Sequence, residues 1–214
     1  NLDVSYNTNL TYFNCSNNQL TSLEVSQNTD LITLWCAGNQ LTYLYVSTNP
    51  ALYDLFCYDN QLAGLDVTNN YSLTDLECSD NQLTYLNVSQ NTDLTSLYCY
   101  GNQLTSLDVR NGNNTNLLTF FSIGNPNLNC ISVDDAAWSA TTWTNIDSQS
   151  SFAITCSPGV GYTYVPDDNF EQALINLGYD AFLDDYVFTS SIDTVTSLNI
   201  SSQNISDLTG IEEV

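Results

Sequence analysis

The sequence contains no histidine and no lysine, and Arg110 is its only basic residue. Without histidine or lysine, the chain cannot build a Ser-His or Cys-His nucleophile pair, an imidazole metal site, a Schiff base or a P-loop. Acid–base chemistry is left to carboxylates, tyrosines and thiols. We therefore expect no cofactor and no metal site.

Positive charge is almost absent, whereas 24 acidic residues give the chain a net charge of −23. Such a surface repels phosphate backbones and anionic lipid headgroups, so we expect no nucleic-acid partner and no binding to a membrane surface. It fits an extracellular protein and attracts basic partners or divalent cations. The sequence also lacks an apolar run of about 18 residues, so we expect no direct membrane insertion.

Cysteine recurs every 21 residues in the first half of the chain, and asparagine, leucine and valine recur in step with it. The cysteines are Cys15, Cys36, Cys57, Cys78 and Cys99, followed three residues later by Asn18, Asn39, Asn60, Asn81 and Asn102. A second asparagine series comprises Asn7, Asn28, Asn49, Asn70 and Asn91. The pattern Leu-x-x-Leu-x-Leu/Cys-x-x-Asn-x-Leu at a fixed period in the twenties is typical of leucine-rich repeats.

Each 21-residue turn contains two such units, one with cysteine and one with valine at the same place. About ten residues cannot hold a strand, a corner and a helix, because helices alone average about 11–12 residues. We therefore predict a mainly β fold, a flattened right-handed solenoid with two parallel sheets of short strands. Residues 1–129 resemble the nested, double-unit leucine-rich repeats of secreted Bacteroidota proteins.

The repeated cysteines and asparagines point into the predicted solenoid. Cysteine behaves as a small hydrophobe and can replace valine in a dry core, so we expect free buried thiols. A disulfide or metal ladder is the alternative, but side chains in parallel register suit the disulfide dihedral poorly. Asparagine at a corner can bond to backbone groups of its own turn and the next, so we expect a structural role.

Residues 130–156 look like the cap that a solenoid end requires. An insertion of two residues precedes them and places Phe120 in the Leu97 position. A short helix is predicted from Asp134 or Asp135 to about Trp143, with Trp138 and Trp143 over the last turn. Cys130 and Cys156 lie outside the 21-residue series; we predict a disulfide of about 3–4 kcal/mol, with two buried thiols as the alternative. The segment resembles the C-terminal cap of flavobacterial surface proteins.

Residues 157–164 are rich in turn formers and predict a linker. Pro166, Asp167 and Asp168 open a predicted helix that carries Phe170, Leu174 and Leu177 on one face and ends at Gly178. The segment VTSLNISSQNISDLTGIEEV resembles internalin-like repeats, so we predict that 165–214 form the N-terminal cap and first repeat of a second array. Because the first residues enter a repeat midway, we expect a segment of a larger protein.

The outward positions of the cysteine sheet carry rings interrupted by carboxylates. We predict a ligand-binding face made of Trp35, Asp54, Phe56, Tyr58, Asp75, Glu77, Tyr98, Tyr100 and Phe121. Exposed aromatic residues in a contiguous patch mark interaction surfaces, and rings serve as hot spots or stack on sugars. Cross-strand ring contacts also stabilise a sheet, so a purely structural role is the alternative.

These features favour a non-catalytic binding or adhesion module that recognises an extracellular protein or glycan. The resemblance implies a bacterial protein that is secreted or lies on the outer cell surface, and other domains of the same polypeptide are expected partners. A spacer that projects those domains is the second interpretation. A glycoside hydrolase using Asp54, Asp75 or Glu77 is the remote third, because a flat sheet face offers no substrate-distorting cleft. Calcium binding to the acidic surface is an open alternative that the sequence disfavours, since no compact Asp-x-Asp-x-Asp loop appears.

Overall fold

The computed structural model describes residues 2–156, 162–180, 183 and 186–211, which fall into two compact units, Asn1–Cys156 and Ser157–Val214. Short strands build the first unit. In chain order they are β1 (Leu2–Asp3), β2 (Tyr12–Asn14), β3 (Leu23–Glu24), β4 (Thr33–Trp35), β5 (Asp54–Phe56), β6 (Asp75–Glu77), β7 (Tyr85–Asn87), β8 (Ser96–Tyr98), β9 (Ser106–Asp108), β10 (Thr119–Phe121), β11 (Cys130–Ser132) and β12 (Ser151–Ala153).

The strands form two walls of a solenoid, and every pairing in this unit is parallel. The cysteine segments make a six-stranded sheet in the order β10-β8-β6-β5-β4-β2, which we call the Cys sheet. The valine segments make the opposite wall, the Val sheet, from the pair β1-β3 and the series β12-β11-β9-β7. The predicted mainly β solenoid with two parallel sheets is confirmed.

One detail of that prediction is wrong, because two valine segments lack strand geometry. Residues 44–46 and 65–67 run through the second wall without forming a strand. Their apolar side chains are nevertheless buried, Val46 and Val67 completely. Burial of the repeated valine therefore fixes the path of the chain there, and a ladder of backbone hydrogen bonds is not required for it.

The core is a column of leucine, valine and cysteine repeated at each turn. Cys36, Cys57, Cys78 and Cys99 are completely buried, and all five repeated cysteines are free thiols, as predicted. Burial raises the pKa of Cys15 to about 11 and that of Cys99 to about 12. The thiols therefore stay protonated and pack as small apolar groups.

Both asparagine series bond to backbone across neighbouring turns, which confirms their structural role. In the series three residues after cysteine, Asn60 donates to the carbonyls of Cys36, Cys57 and Tyr58 and accepts from the amide of Leu41. In the second series, the side-chain amides of Asn28, Asn49, Asn70 and Asn91 each donate to two carbonyls of the preceding turn. These four side chains do not act as acceptors, because the buried Oδ1 atoms of Asn28, Asn49, Asn70 and Asn91 have no hydrogen-bond partner among the described residues.

The cap extends the solenoid as well as closing it. Strands β11 and β12 continue the Val sheet, and helix α1 (Ala136–Thr142) lies between them with Asp135 as its N-cap. The Trp143 ring stacks on Phe120 at 4.5 Å, and its indole N–H donates to the carbonyl of Leu117. The predicted helix and the Cys130–Cys156 disulfide are confirmed.

Two cap carboxylates hold the loops of the last turn. Asp134 accepts the backbone amides of Gly112 and Asn114, and Asp147 accepts those of Gly124 and Asn125. These amides would otherwise be left open at the end of the repeat. The cap therefore supplies backbone partners in addition to apolar cover.

The second unit contains strand β13 (Tyr162–Tyr164) paired antiparallel with β14 (Tyr186–Phe188), helix α2 (Asp168–Asn176) and helix α3 (Thr189–Ile192). Asp167 caps α2 and also accepts from the amide and hydroxyl of Ser206. Phe170 and Leu174 enter the core as predicted, but Leu177 is 46% exposed because the helix ends at Asn176. Gly178 follows with a φ of +81°.

Part of the predicted linker of residues 157–164 lies outside the described residues, at positions 157–161, and its last three residues belong to β13. The segments 1–129, 130–156 and 165–214 stay a predicted division of the chain. None of the described helices has the length and apolarity that a membrane span needs.

Candidate binding face on the Cys sheet

The nine predicted face residues all lie on or just after strands of the Cys sheet, and all are half-buried. They flank the completely buried leucines and cysteines, because successive side chains of a strand point to opposite faces. Three rows run across the strands. The ring row is formed by the residues that precede the cysteine position: Asn14, Trp35, Phe56, Glu77, Tyr98 and Phe121. The tyrosine row is formed by the residues that follow that position: Ser16, Ala37, Tyr58, Ser79, Tyr100 and Ile123. The acid row is formed by the first residue of each strand: Tyr12, Thr33, Asp54, Asp75, Ser96 and Thr119.

The ring row contains two stacked pairs. Trp35 and Phe56 lie with centroids 5.4 Å apart and planes at 14°, and Tyr98 and Phe121 lie 5.2 Å apart at 14°. Both separations are close to the spacing of neighbouring strands, about 4.8 Å. The parallel register therefore sets the stacking.

Stacking along the ring row determines which surfaces of the rings a ligand can contact. In each pair, one face of each ring lies against its neighbour, so that face is closed to other groups. The N–H edge of the Trp35 indole is itself buried. This arrangement leaves less room for a sugar to lie on a ring face than the sequence alone indicates.

The acid row places two carboxylates side by side. Asp54 and Asp75 are register partners on β5 and β6. The hydroxyl of Thr33 donates to Asp54 at 3.2 Å, and the hydroxyl of Thr74 donates to Asp75 at 3.1 Å. Partial burial raises the pKa of Asp54, and the charge of Asp75 raises it further. The pair is thus an electronegative feature of the face.

Glu77 interrupts the ring row between Phe56 and Tyr98. Partial burial raises the pKa of its carboxyl, and the neighbouring charge of Asp80 adds to this shift. Burial also raises the pKa of the Tyr100 phenol, with further contributions from the charges of Asp80 and Glu77. The fourth strand of the face therefore combines a poorly solvated carboxylate with surrounding rings.

No group of three or more metal-ligating side chains occurs within the described parts of the chain. The single arginine lies on the opposite wall, where Arg110 pairs with Asp108 at 2.5 Å. The Cys-sheet face therefore has no basic side chain of its own to neutralise its carboxylates.

The acidic Val sheet has a structural function that the sequence interpretation missed. Asp3, Glu24, Asp66, Asn87 and Asp108 each accept the backbone amide two residues later. These short loops close the corner after each valine segment. The signal is present in the sequence as an acidic residue or asparagine before the repeated valine, with serine or threonine after it in most turns.

A second missed feature is a column of left-handed residues at the corner after the tyrosine row. Asp59 and Asp80 adopt φ values of 53° and 51°, and Gly38 and Gly101 occupy the equivalent positions in neighbouring turns. A Cβ atom at Gly101 would collide with Oδ1 of Asp80. Glycine at positions 38 and 101 therefore leaves room for a side chain of the preceding turn, Asn17 and Asp80 respectively.

Comparison with known proteins identifies the fold. No family model and no curated protein matches the chain. A leucine-rich-repeat protein of Leptospira interrogans is 21% identical over 70% of this chain and 46% of that chain, with a TM-score of 0.52. The leucine-rich-repeat ectodomain of the membrane receptor kinase GASSHO1/SCHENGEN3 from Arabidopsis thaliana, in complex with CASPARIAN STRIP INTEGRITY FACTOR 2, is 22% identical over 70% of this chain and 18% of that chain, with a TM-score of 0.53.

The functional domain of InlJ from Listeria monocytogenes, described as including a cysteine ladder, is 24% identical over 62% of this chain and 51% of that chain, with a TM-score of 0.32. The chain thus spans about half or less of the length of these three proteins. The two neighbours with TM-scores above 0.5, from Leptospira interrogans and Arabidopsis thaliana, show a shared fold and no more than that. The chain adopts the leucine-rich-repeat solenoid fold.

Proposed function

We propose that the chain is a non-catalytic binding module of a larger bacterial protein, secreted or anchored at the cell surface, which recognises a protein partner through the Cys-sheet face. The observation that carries this proposal is the contiguous set of half-exposed rings and carboxylates on one rigid sheet. Contiguous apolar patches rimmed by polar groups mark interaction sites. A rigid sheet also presents its side chains at little conformational cost.

Two further observations support the proposal. Leucine-rich-repeat solenoids are typically non-catalytic, and the plant ectodomain of this fold was solved in complex with a protein factor. The Cys130–Cys156 disulfide is consistent with an oxidising compartment, because such bonds rarely persist in a reducing cytosol. Other domains of the same polypeptide are proposed to carry the module.

A structural spacer is the second candidate, because a specific observation favours it. The stacked pairs Trp35–Phe56 and Tyr98–Phe121 stabilise the sheet whether or not a ligand binds. Such aromatic pairs contribute about 0.5–1.5 kcal/mol beyond their burial. Under this alternative the rings serve the solenoid alone.

Replacement of the two rings tests the proposal. The combined variant Trp35→Ala and Tyr98→Ala is compared with Tyr45→Ala, which removes an exposed ring from residues 44–46 of the opposite wall. Candidate partners come from an extracellular protein array and a glycan array, and affinity is then measured by biolayer interferometry. We expect a loss of about 30-fold or more for the double variant, as for two hot-spot residues, and less than about twofold for the control.

The stability of the same variants separates the two candidates. If Trp35→Ala with Tyr98→Ala lowers the unfolding temperature but leaves every array interaction unchanged, the rings are structural and the binding proposal is wrong. If a captured glycan responds to the same variants, the Cys-sheet face is the binding surface, and the proposal of a protein partner is wrong.

A further inference from the structure

The ring row is interrupted at one strand, and the interruption creates a distinct local environment. Strand β6 contributes Glu77 where its neighbours β5 and β8 contribute Phe56 and Tyr98. In the tyrosine row the same turn contributes the completely buried Ser79 between Tyr58 and Tyr100. One turn therefore places a carboxylate, and beside it a small residue, among four aromatic side chains.

The separation of the flanking rings follows from the sheet. Phe56 and Tyr98 lie two strand spacings apart, which is about 9.6 Å. Each ring is stacked on its outer side, by Trp35 and Phe121 respectively, so the inner faces are directed toward Glu77. A cation held by the carboxylate midway between them would lie about 5 Å from each ring, within the roughly 6 Å range of cation–π attraction.

The charge at this place is uncompensated within the chain. Arg110 is the only basic side chain, and it pairs with Asp108 on the opposite wall. Partial burial and the charge of Asp80 raise the pKa of Glu77, so its ionised form is less favourable than that of an exposed glutamate. An incoming positive charge would offset the repulsion from Asp80 and pair with the carboxylate.

We propose that Glu77, with the rings of Phe56 and Tyr98 on either side, binds a lysine or arginine side chain of a basic protein partner. This inference rests on the proposed binding function of the Cys-sheet face and names the chemistry of its partner. A metal ion fits less well, because hard cations require several oxygen ligands and the described residues bring together no group of three. A neutral glycan would leave the carboxylate unpaired.

A model peptide tests the proposal on the intact chain. The probe is an acetylated, amidated (Gly-Lys)5 peptide, and its fully side-chain-acetylated form is the uncharged reference. Glu77→Gln is compared with Glu24→Gln, which removes the same charge from the Val sheet, where Glu24 makes only a local bond to Ser26. Isothermal titration calorimetry in low salt should show about a fivefold or greater loss for Glu77→Gln and less than a twofold loss for Glu24→Gln.

The second variant pair removes a ring without changing the charge. Tyr98→Leu should weaken peptide binding about threefold, whereas Tyr45→Leu on the opposite wall should leave it unchanged. Circular dichroism at the unfolding transition verifies that all four variants are folded. Equal losses for Glu77→Gln and Glu24→Gln would mean that the peptide senses general surface charge, and the proposed cation site would be wrong.

Failure of this inference is distinguishable from failure of the face. If an array partner depends on Trp35 and Tyr98 but not on Glu77, the face binds and the cation site does not exist. If the same pattern appears with a neutral oligosaccharide such as cellohexaose, the ligand is a glycan. If no partner responds to any of these replacements, the proposed function fails as a whole.

Discussion

The two asparagine series should contribute unequally to stability, although both recur every 21 residues and both donate to backbone carbonyls of neighbouring turns. Replacing Asn60 by alanine removes the only acceptor of the Leu41 amide, which is completely buried. The three carbonyls that Asn60 bonds to each keep another donor, so their loss is modest. An unpaired buried N–H costs about 1–3 kcal/mol, and with the lost donations we expect Asn60→Ala to destabilise by about 3 kcal/mol.

Replacing Asn70 by alanine creates no comparable vacancy. Its side chain donates to the carbonyls of Val46 and Asn49, and both carbonyls also accept a backbone amide. The Oδ1 atom has no hydrogen-bond partner among the described residues, so its removal relieves a desolvated acceptor. We expect Asn70→Ala to destabilise by about 1 kcal/mol.

Urea unfolding followed by tryptophan fluorescence measures the difference, because all three tryptophans lie in the unit Asn1–Cys156. Both substituted positions lie in the middle of the solenoid, so fraying of an end turn does not reduce the measured effect of either substitution. Equal free energies of unfolding, or a larger loss for Asn70→Ala, would refute the assignment of the energetic role to the acceptor oxygen.

Two further predictions concern titrating groups. Because burial raises the pKa of Cys15 to about 11 and that of Cys99 to about 12, the folded chain at pH near 8 should resist a disulfide-exchange reagent such as DTNB, and Cys15 in the first turn should react first. Rapid labelling of Cys57 without denaturant would contradict this. Hydrogen bonds from Ser206 hold the pKa of Asp167 well below its usual range, so its stabilisation of the second unit is complete above the unfolded value of about 3.9 and is lost as pH falls below it. The backbone amide NMR signal of Ser206 should therefore shift as Asp167 is protonated in acid, and it should show no such shift in Asp167→Asn.

The period of the sequence predicted most of the first unit, because a core position repeated every 21 residues leaves few ways to bury it. The two sheets, the free thiols, the corner asparagines and the cap disulfide all follow from positions that recur or interrupt the recurrence. The missing strands at 44–46 and 65–67 could not be predicted, since the valine pattern there is intact. Whether two neighbouring turns form backbone hydrogen bonds cannot be predicted from the spacing of apolar residues alone.

The candidate face was less predictable for a related reason. The sequence placed Trp35, Phe56 and Tyr98 outside the core, but it did not reveal that the rings pair face to face. Ring orientation depends on the strand spacing and on rotamers shared between turns. The position of a residue in a repeat therefore predicts which side of a sheet it occupies, and not which surface of its ring a ligand can reach.

In this solenoid the departures from the repeat carry more functional information than the repeat. Leucine, cysteine and asparagine are constrained at every turn because each faces the same core or the same corner. The outward residues face only solvent and the adjacent turns, so they are free to differ, and Glu77 differs most from its row. A carboxylate that breaks a ring stack gains nothing for the fold, since it is partly desolvated and lies near the charge of Asp80. Glu77→Gln should therefore raise or leave unchanged the unfolding temperature, and under the proposed cation site it should also weaken the binding of a basic partner.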